Sequence, residues 1–188
     1  LILPGIQHAF ERHARVVPSV WTALDLRAPE SRRQRVPTIA IWAFAFLFLQ
    51  MMFGAYVAGL NAGYAFSSWP LMGDSLYPAG AEWLKPWLRN FVDNPITVQF
   101  VHRWLAFGVL AMAIVLAAKV KRTGARRESM LLHIAVGIQI LIGIATLLTG
   151  VDIVVAVAHQ GMAVLVIGAF VLAAHRLAVA RAALPAHA

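Results

Sequence analysis

Four long, nearly uncharged apolar stretches constrain the fold of this chain more than any other feature. They cover about residues 38–60, 96–118, 129–151 and 153–174. Each is long enough to cross a bilayer, which takes about 20 residues of helix. The sequence therefore predicts an all-α protein, a polytopic membrane four-helix bundle.

The composition agrees with this class of protein. Of the 188 residues, 61% are hydrophobic and only 13% are charged, whereas a soluble domain has about 25% charged residues. The net charge of +8 is not evidence for a nucleic-acid partner, because the basic residues flank the apolar stretches, where they set topology. The sequence contains no Cys, which excludes disulfides, thiolate-ligated haem and iron–sulfur clusters within these residues.

The distribution of basic residues predicts the topology. Residues 1–36 form a basic, proline-interrupted linker on the membrane surface, and residues 37–188 form the membrane domain. The linker, the loop after the second apolar stretch and the C-terminal tail hold most of the Lys and Arg. By the positive-inside rule, both ends of the domain face the cytoplasm, or the matrix of a mitochondrion. An aromatic loop, residues 61–95, then lies outside, and the chain, which begins with Leu1, is expected to be a fragment of a longer protein.

Local signals mark the helix ends and an internal repeat. Asn94 is predicted to cap the second helix and Pro95 to begin it. A tight turn is predicted at residues 150–152. The first and third stretches share a Gln and a Gly at one spacing, and the second and fourth share a His and an Ala. The matched pairs are Gln50 and Gly54 with Gln139 and Gly143, and His102 and Ala106 with His159 and Ala163.

The matched histidines are the main functional candidates. His102, in the segment QFVHR, and His159 each lie about two turns into their stretches, and these two helices run in the same direction. Ionisable residues inside a span are functional candidates by default. Two imidazoles at one depth on parallel helices are a suitable pair of axial ligands for a haem iron. Arg103 is predicted to pair with a haem propionate.

Other interpretations of the polar residues remain open. A histidine in a span is often only an interhelical hydrogen-bond partner, and Gln50 and Gln139 are interpreted in that way. Zinc is disfavoured, because a closed site takes four ligands and no further candidate lies at that depth. His133 and His175 are either ligands of a second haem or simple interfacial residues.

Several segments resemble the C-terminal half of the haem A synthase family. They are AGLNAG, WPLMGDSLYP and LRNFVDNPITVQFVHR between residues 58 and 103, then IGIATLL near Gly143 and AHQ at His159. The resemblance implies one half of a pseudo-symmetric eight-helix protein that holds haem b through His102 and His159. It further implies an oxidoreductase that oxidises the C8 methyl of haem O to a formyl group, making haem A for cytochrome oxidase.

The resemblance also implies where catalysis occurs and with which partners. The family's catalytic glutamate lies three residues before a histidine of the N-terminal half, and the equivalent position here is Gln99. These 188 residues alone are therefore not expected to catalyse the reaction. Haem O is the expected substrate of the full-length enzyme, with membrane lipid, a second copy and haem O synthase as further expected partners. The expected location is the bacterial inner membrane, with the mitochondrial inner membrane as the alternative.

Two other functions fit the same histidines. A b-type cytochrome membrane anchor or electron-transfer subunit would bind two haems, one at His102 and His159 and one at His133 and His175. A transporter or structural bundle would bind none and would use the histidines for packing. Haem stoichiometry distinguishes these three hypotheses.

Overall fold

The fold is a bundle of long helices. The computed structural model describes residues 15, 17–27, 36–78 and 81–182. Within them, helix α1 covers residues 17–27, followed by α2 (Thr38–Gly59), α3 (Asn90–Asp93), α4 (Pro95–Arg122), α5 (Arg126–Leu148) and α6 (Ile153–Ala182), with 3₁₀ helices at Ala62–Tyr64 and Trp87–Arg89. In this part of the chain, α2, α4, α5 and α6 are the helices long and apolar enough to cross a membrane. The predicted all-α polytopic bundle is confirmed.

The four long helices form two hairpins, α2 with α4 and α5 with α6. Helix α4 also packs against α5 and α6. Because α5 reverses the chain between them, α4 and α6 run in the same direction. Both helices continue beyond the apolar stretches that predicted them, to Arg122 and Ala182, since Ala, Lys and Arg favour helix outside the bilayer core as well.

The main cluster of buried apolar residues occupies one half of the bundle's length. In α4 it begins at Val109, in α6 it begins at Val166, and in α5 it ends at Val136. We call this the inner half, because it adjoins the α4–α5 connection. Both candidate histidines lie in the other half, the outer half, beyond the end of the core.

Helix α1 closes the inner end of the bundle and was not predicted. The indole of Trp21 contacts the imidazole of His175 edge-on, with ring centroids 5.2 Å apart. The same imidazole also makes a polar contact with α1, because His175 Nε2 lies 2.9 Å from Asp25 Oδ1. The rest of the predicted linker, residues 1–14, 16 and 28–35, lies outside the described residues.

The predicted start of α4 and the predicted turn at residues 150–152 are confirmed. Asn94 Oδ1 accepts hydrogen bonds from the backbone N–H groups of Ile96 and Thr97, at 3.1 and 3.4 Å, and Pro95 begins α4. The turn between α5 and α6 places Val151 at a φ of 63°, which is a strained conformation for a β-branched residue. Asp152 then caps α6.

Candidate functional site

His102 lies half-buried on α4 and is held by two residues of α2. The Nε2 group of Gln50 donates to the backbone carbonyl of His102 at 3.1 Å and lies 3.2 Å from its Nδ1. One turn along the same face of α2, a Cβ atom added to Gly54 would lie 3.1 Å from His102 Cε1. The missing side chain of Gly54 thus leaves the notch that the imidazole fills.

His159 has the same surroundings in the second hairpin. The Nε2 group of Gln139 donates to the backbone carbonyl of His159 at 3.2 Å and lies 3.4 Å from its imidazole Nε2. A Cβ atom added to Gly143 would lie 2.9 Å from His159 Cε1. The Nδ1 atom of His159 is buried and has no hydrogen-bond partner among the described residues.

The internal repeat is therefore a structural unit made of one Gln, one Gly and one His. In each hairpin, the Gln and the Gly come from one helix and the His from the other. The interpretation of Gln50 and Gln139 as interhelical hydrogen-bond partners is confirmed. The unit fixes each imidazole from one side.

The histidines of the two units belong to helices that contact one another. Helices α4 and α6 are in contact, and His102 and His159 lie near the starts of these helices. One turn further in, Ala106 and Ala163 are half-buried, so the site is bordered by small side chains. The common depth of the two imidazoles stays a prediction.

This pair fits a haem. Nowhere in the described part of the chain do three or more His, Cys, Asp or Glu side chains gather as a metal site. A two-imidazole donor set suits a metal that brings its own equatorial ligands, as haem iron does. The glycine notch behind each ring is the feature expected where a histidine must be oriented for a ligand.

Arg103 and Gln99 lie on α4 on either side of His102 and bind the outer loop. The Nη2 atom of Arg103 donates to the carbonyl of Phe66 at 2.7 Å, and its Nη1 donates to that of Ser68 at 2.8 Å. Gln99 Nε2 also donates to Phe66, at 2.9 Å. The pairing of Arg103 with a haem propionate stays a prediction. Sequence reasoning missed the loop carbonyls, because backbone acceptors leave no signal in a sequence.

The second pair of histidines has other partners. His133 is exposed, and its Nδ1 atom donates to the carbonyl of Ser129 in the same helix at 2.8 Å. His175 is buried at the inner end and binds Asp25 of α1. The structure does not bring His133 and His175 together.

The fold and the site define a polytopic helical membrane protein with a repeated histidine unit. Residues 14–171 match the model of a family described as cytochrome oxidase assembly protein, and curated relatives named Heme A synthase are up to 48% identical. The chain belongs to this haem A synthase family.

Three of these relatives show the extent of the match. The Heme A synthase of Rhizorhabdus wittichii is 48% identical over 162 residues, which are 84% of this chain and 47% of the relative. The Heme A synthase of Sphingopyxis alaskensis is 42% identical over 162 residues, 84% of this chain and 46% of the relative. The Heme A synthase of Novosphingobium aromaticivorans is 40% identical over 171 residues, which are 86% of this chain and 49% of the relative. The chain thus spans about half the length of the curated relatives it matches. No solved structure matches it.

Proposed function

We propose that this chain is the C-terminal, haem b-binding half of a haem A synthase. The full-length protein would be an oxidoreductase that oxidises the C8 methyl of haem O to a formyl group and so makes haem A for cytochrome oxidase. The observation that carries the proposal is the repeated Gln–Gly–His unit, which presents His102 and His159 from two hairpins.

The chemistry of the two histidines supports haem b as the cofactor. Neutral imidazoles are inexpensive to bury in a membrane compared with charged groups, and each is oriented by an amide and by a glycine notch. When bound, a haem b would supply one-electron redox chemistry, with a potential that its axial ligands set. His102 and His159 would hold the iron, and Gln50 and Gln139 would hold the imidazoles.

The distribution of carboxylates supports a division of labour between two halves. Among the described residues, the acids of α4, α5 and α6 are confined to Glu128 in the first turn of α5, while Asp152 precedes α6. Neither lies beside a candidate histidine in the chain, and position 99 is an amide. We therefore assign the catalytic glutamate to the N-terminal half and electron relay to this one.

The family membership supports the remaining parts of the proposal. The substrate of the full-length enzyme would be haem O, and the protein would lie in the bacterial inner membrane with both ends of this half in the cytoplasm. Contacts with a second copy and with haem O synthase belong to the same proposal. The alternative, an electron-transfer anchor with two haems, has less support, because His133 and His175 are already bonded elsewhere.

Haem stoichiometry tests this proposal. The full-length protein and this chain are purified from cells supplied with haem, and haem is counted by pyridine haemochrome and by reduced-minus-oxidised spectra. We expect one low-spin haem b in the chain, lost in His102→Ala and in His159→Ala. The matched control, His133→Ala, should retain it.

The other outcomes separate the alternatives. A second haem in the chain that depends on His133 and His175 would favour the electron-transfer anchor. A full-length protein in which His102→Ala and His159→Ala leave the haem count unchanged would overturn the proposal. Conversion of haem O to haem A by the full-length protein, followed chromatographically, tests the activity itself.

A further inference from the structure

The outer ends of the two hairpins contact one another at Gly63 and Val151. Gly63, in the 3₁₀ helix that follows α2, packs against Val151 in the turn between α5 and α6. A Cβ atom added to Gly63 would lie 2.9 Å from Val151 Cγ2, closer than the two carbons can approach. Since Val151 is itself held at a φ of 63°, this contact cannot easily adjust. We call Gly63 and Val151 the rim contact.

Two buried side chains of α4 hold the loop that carries the rim contact. Gln99 donates to the carbonyls of Gly63 and Phe66, at 3.4 and 2.9 Å. Arg103, one turn further along the same face, donates to the carbonyls of Phe66, Ser68 and Leu71, at 2.7, 2.8 and 3.4 Å. The exposed fractions of Gln99 and Arg103 are only 1% and 5%.

The loop is shaped to present these carbonyls. Ser68 Oγ donates to the carbonyl of Leu71 and accepts from the backbone N–H of Gly73, both at 2.8 Å. This local turn directs the carbonyls of Ser68 and Leu71 at the guanidinium of Arg103. Hydrogen bonds from a charged donor are stronger than neutral ones, and burial away from water strengthens them further. A separate bond between Tyr77 and Thr97 joins the end of the loop to the first turn of α4.

We infer that Gln99 and Arg103 are positioning residues that clamp loop residues 63–71 to α4 and, through the rim contact, set the outer separation of the two histidine hairpins. The apolar core sets their separation at the inner end. The outer loop is therefore a fixed cap on the site. The clamp itself follows from the contacts above, and its effect on a cofactor rests on the proposed function.

The clamp requires an amide at position 99. The Nε2 group of Gln99 has two N–H bonds and uses them on two carbonyls. A carboxylate of the same shape has only acceptor oxygens, so it would face those carbonyls without a proton to share. It would also attract the guanidinium of Arg103 away from the loop. Gln99→Glu is thus an almost isosteric way to open the clamp.

Hydrogen–deuterium exchange of the full-length protein in detergent tests the clamp without reference to any cofactor. Gln99→Glu and Arg103→Met should speed exchange of backbone amides in residues 63–73 by about tenfold or more, since each loses at least two buried hydrogen bonds. Residues 109–120 in the inner core should be unchanged. The control Gln160→Glu, at an exposed glutamine next to His159, should leave both segments unchanged.

A second readout tests positioning. In the same variants, the haem should remain bound and low-spin while its midpoint potential and its electron paramagnetic resonance g-values shift. Arg103→Lys, which keeps the charge but not the planar fork, should fall between wild type and Arg103→Met in both readouts. Gly63→Ala, which alters the rim contact from the other side, should shift the g-values while Gln99 and Arg103 stay intact.

Each outcome is decisive. Loop exchange that is unchanged in folded Gln99→Glu and Arg103→Met would overturn the clamp. If both variants fail to fold, loop exchange in folded Arg103→Lys that matches wild type would overturn it instead. An opened loop with an unaltered haem spectrum would overturn the positioning role alone. A wild-type protein without haem would contradict the proposed function, and the exchange experiment would still decide the clamp.

Discussion

The outer and inner halves of the bundle are stabilised in different ways. The inner half is a closed apolar core in which Phe170, Leu116 and Leu132 are completely buried. In the outer half, Ile153 and Val154 at the start of α6 are 72% and 73% exposed. The contacts there include hydrogen bonds between helices, glycine notches and the clamped loop, and the few buried apolar residues include Val98 and Met72.

This difference indicates that the two halves carry out different tasks. An apolar core stabilises a fold but offers no ligand, whereas oriented polar groups in a membrane are costly and mark function. Variants of the outer half should therefore change haem binding more than stability. Variants of the inner half should do the opposite. The following predictions test that separation, from the largest expected effect to the smallest.

Variants that fill the glycine notches should have the largest effect on haem retention. Gly143→Ala would set a methyl group 2.9 Å from His159 Cε1, and Gly54→Ala would set one 3.1 Å from His102 Cε1. Overpacking of this kind costs about 1–3 kcal/mol, so we expect weaker haem retention in both, and more so in Gly143→Ala. The haem content per protein after purification measures this retention.

Gly137 supplies the control for the notch variants. It lies on the same helix as Gly143, and a Cβ atom added there meets nothing within 4 Å. Gly137→Ala should therefore keep its haem and gain stability of about 0.5–1 kcal/mol from better helix propensity. Equal haem loss in Gly137→Ala and Gly143→Ala would show that the notches have no special role.

The contact between α1 and α6 should affect stability and leave haem unchanged. Asp25→Ala removes the partner of the buried His175, and a buried polar group left without a partner costs about 1–3 kcal/mol. We expect a lower free energy of unfolding in detergent and an unaltered haem spectrum. Asp93→Ala, which removes an exposed acid, is the control. A change in the haem spectrum of Asp25→Ala would contradict the separation of the two halves.

Variants of Gln50 and Gln139 should have a smaller effect on haem affinity than the glycine variants. Gln50→Leu and Gln139→Leu remove the amides that hold His102 and His159. Interhelical hydrogen bonds in membranes contribute about 0.6 kcal/mol on average and at most about 1.7, which corresponds to about a threefold to twentyfold change in haem affinity. Haem transfer to apomyoglobin measures the rate of loss. The exposed Gln160→Leu should match wild type, and no change in either buried variant would contradict the hydrogen-bonded unit.

The sequence was sufficient for the parts of the molecule that local patterns determine. Hydropathy predicted the four long helices, an Asn–Pro pair predicted the start of α4, and equal spacing predicted the repeated pattern of Gln, Gly and His in the two hairpins. These signals depend on neighbours along one helix or on the register of two helices. They need no knowledge of how loops fold.

The parts that were missed depend on distant partners. His175 binds Asp25 across 150 residues, and Arg103 binds carbonyls 32 to 37 residues away in the loop. Backbone acceptors occur at every residue, so composition cannot single out those of Phe66 or Ser68. The rim contact likewise depends on the conformation of two separate turns.

The exposed ion pair of the inner half should have the smallest effect on either property. Arg176 Nε lies 2.8 Å from Glu128 Oε1, but the Arg176 side chain is 55% exposed. Such pairs contribute about 0–1 kcal/mol and are screened by salt. A double-mutant cycle with Arg176→Met and Glu128→Gln, read by unfolding in low and high salt, should give a coupling energy in that range. A larger, salt-resistant coupling would mean that charges as well as the apolar core hold the inner half, and the contrast between the two halves would then be weaker than the buried residues indicate.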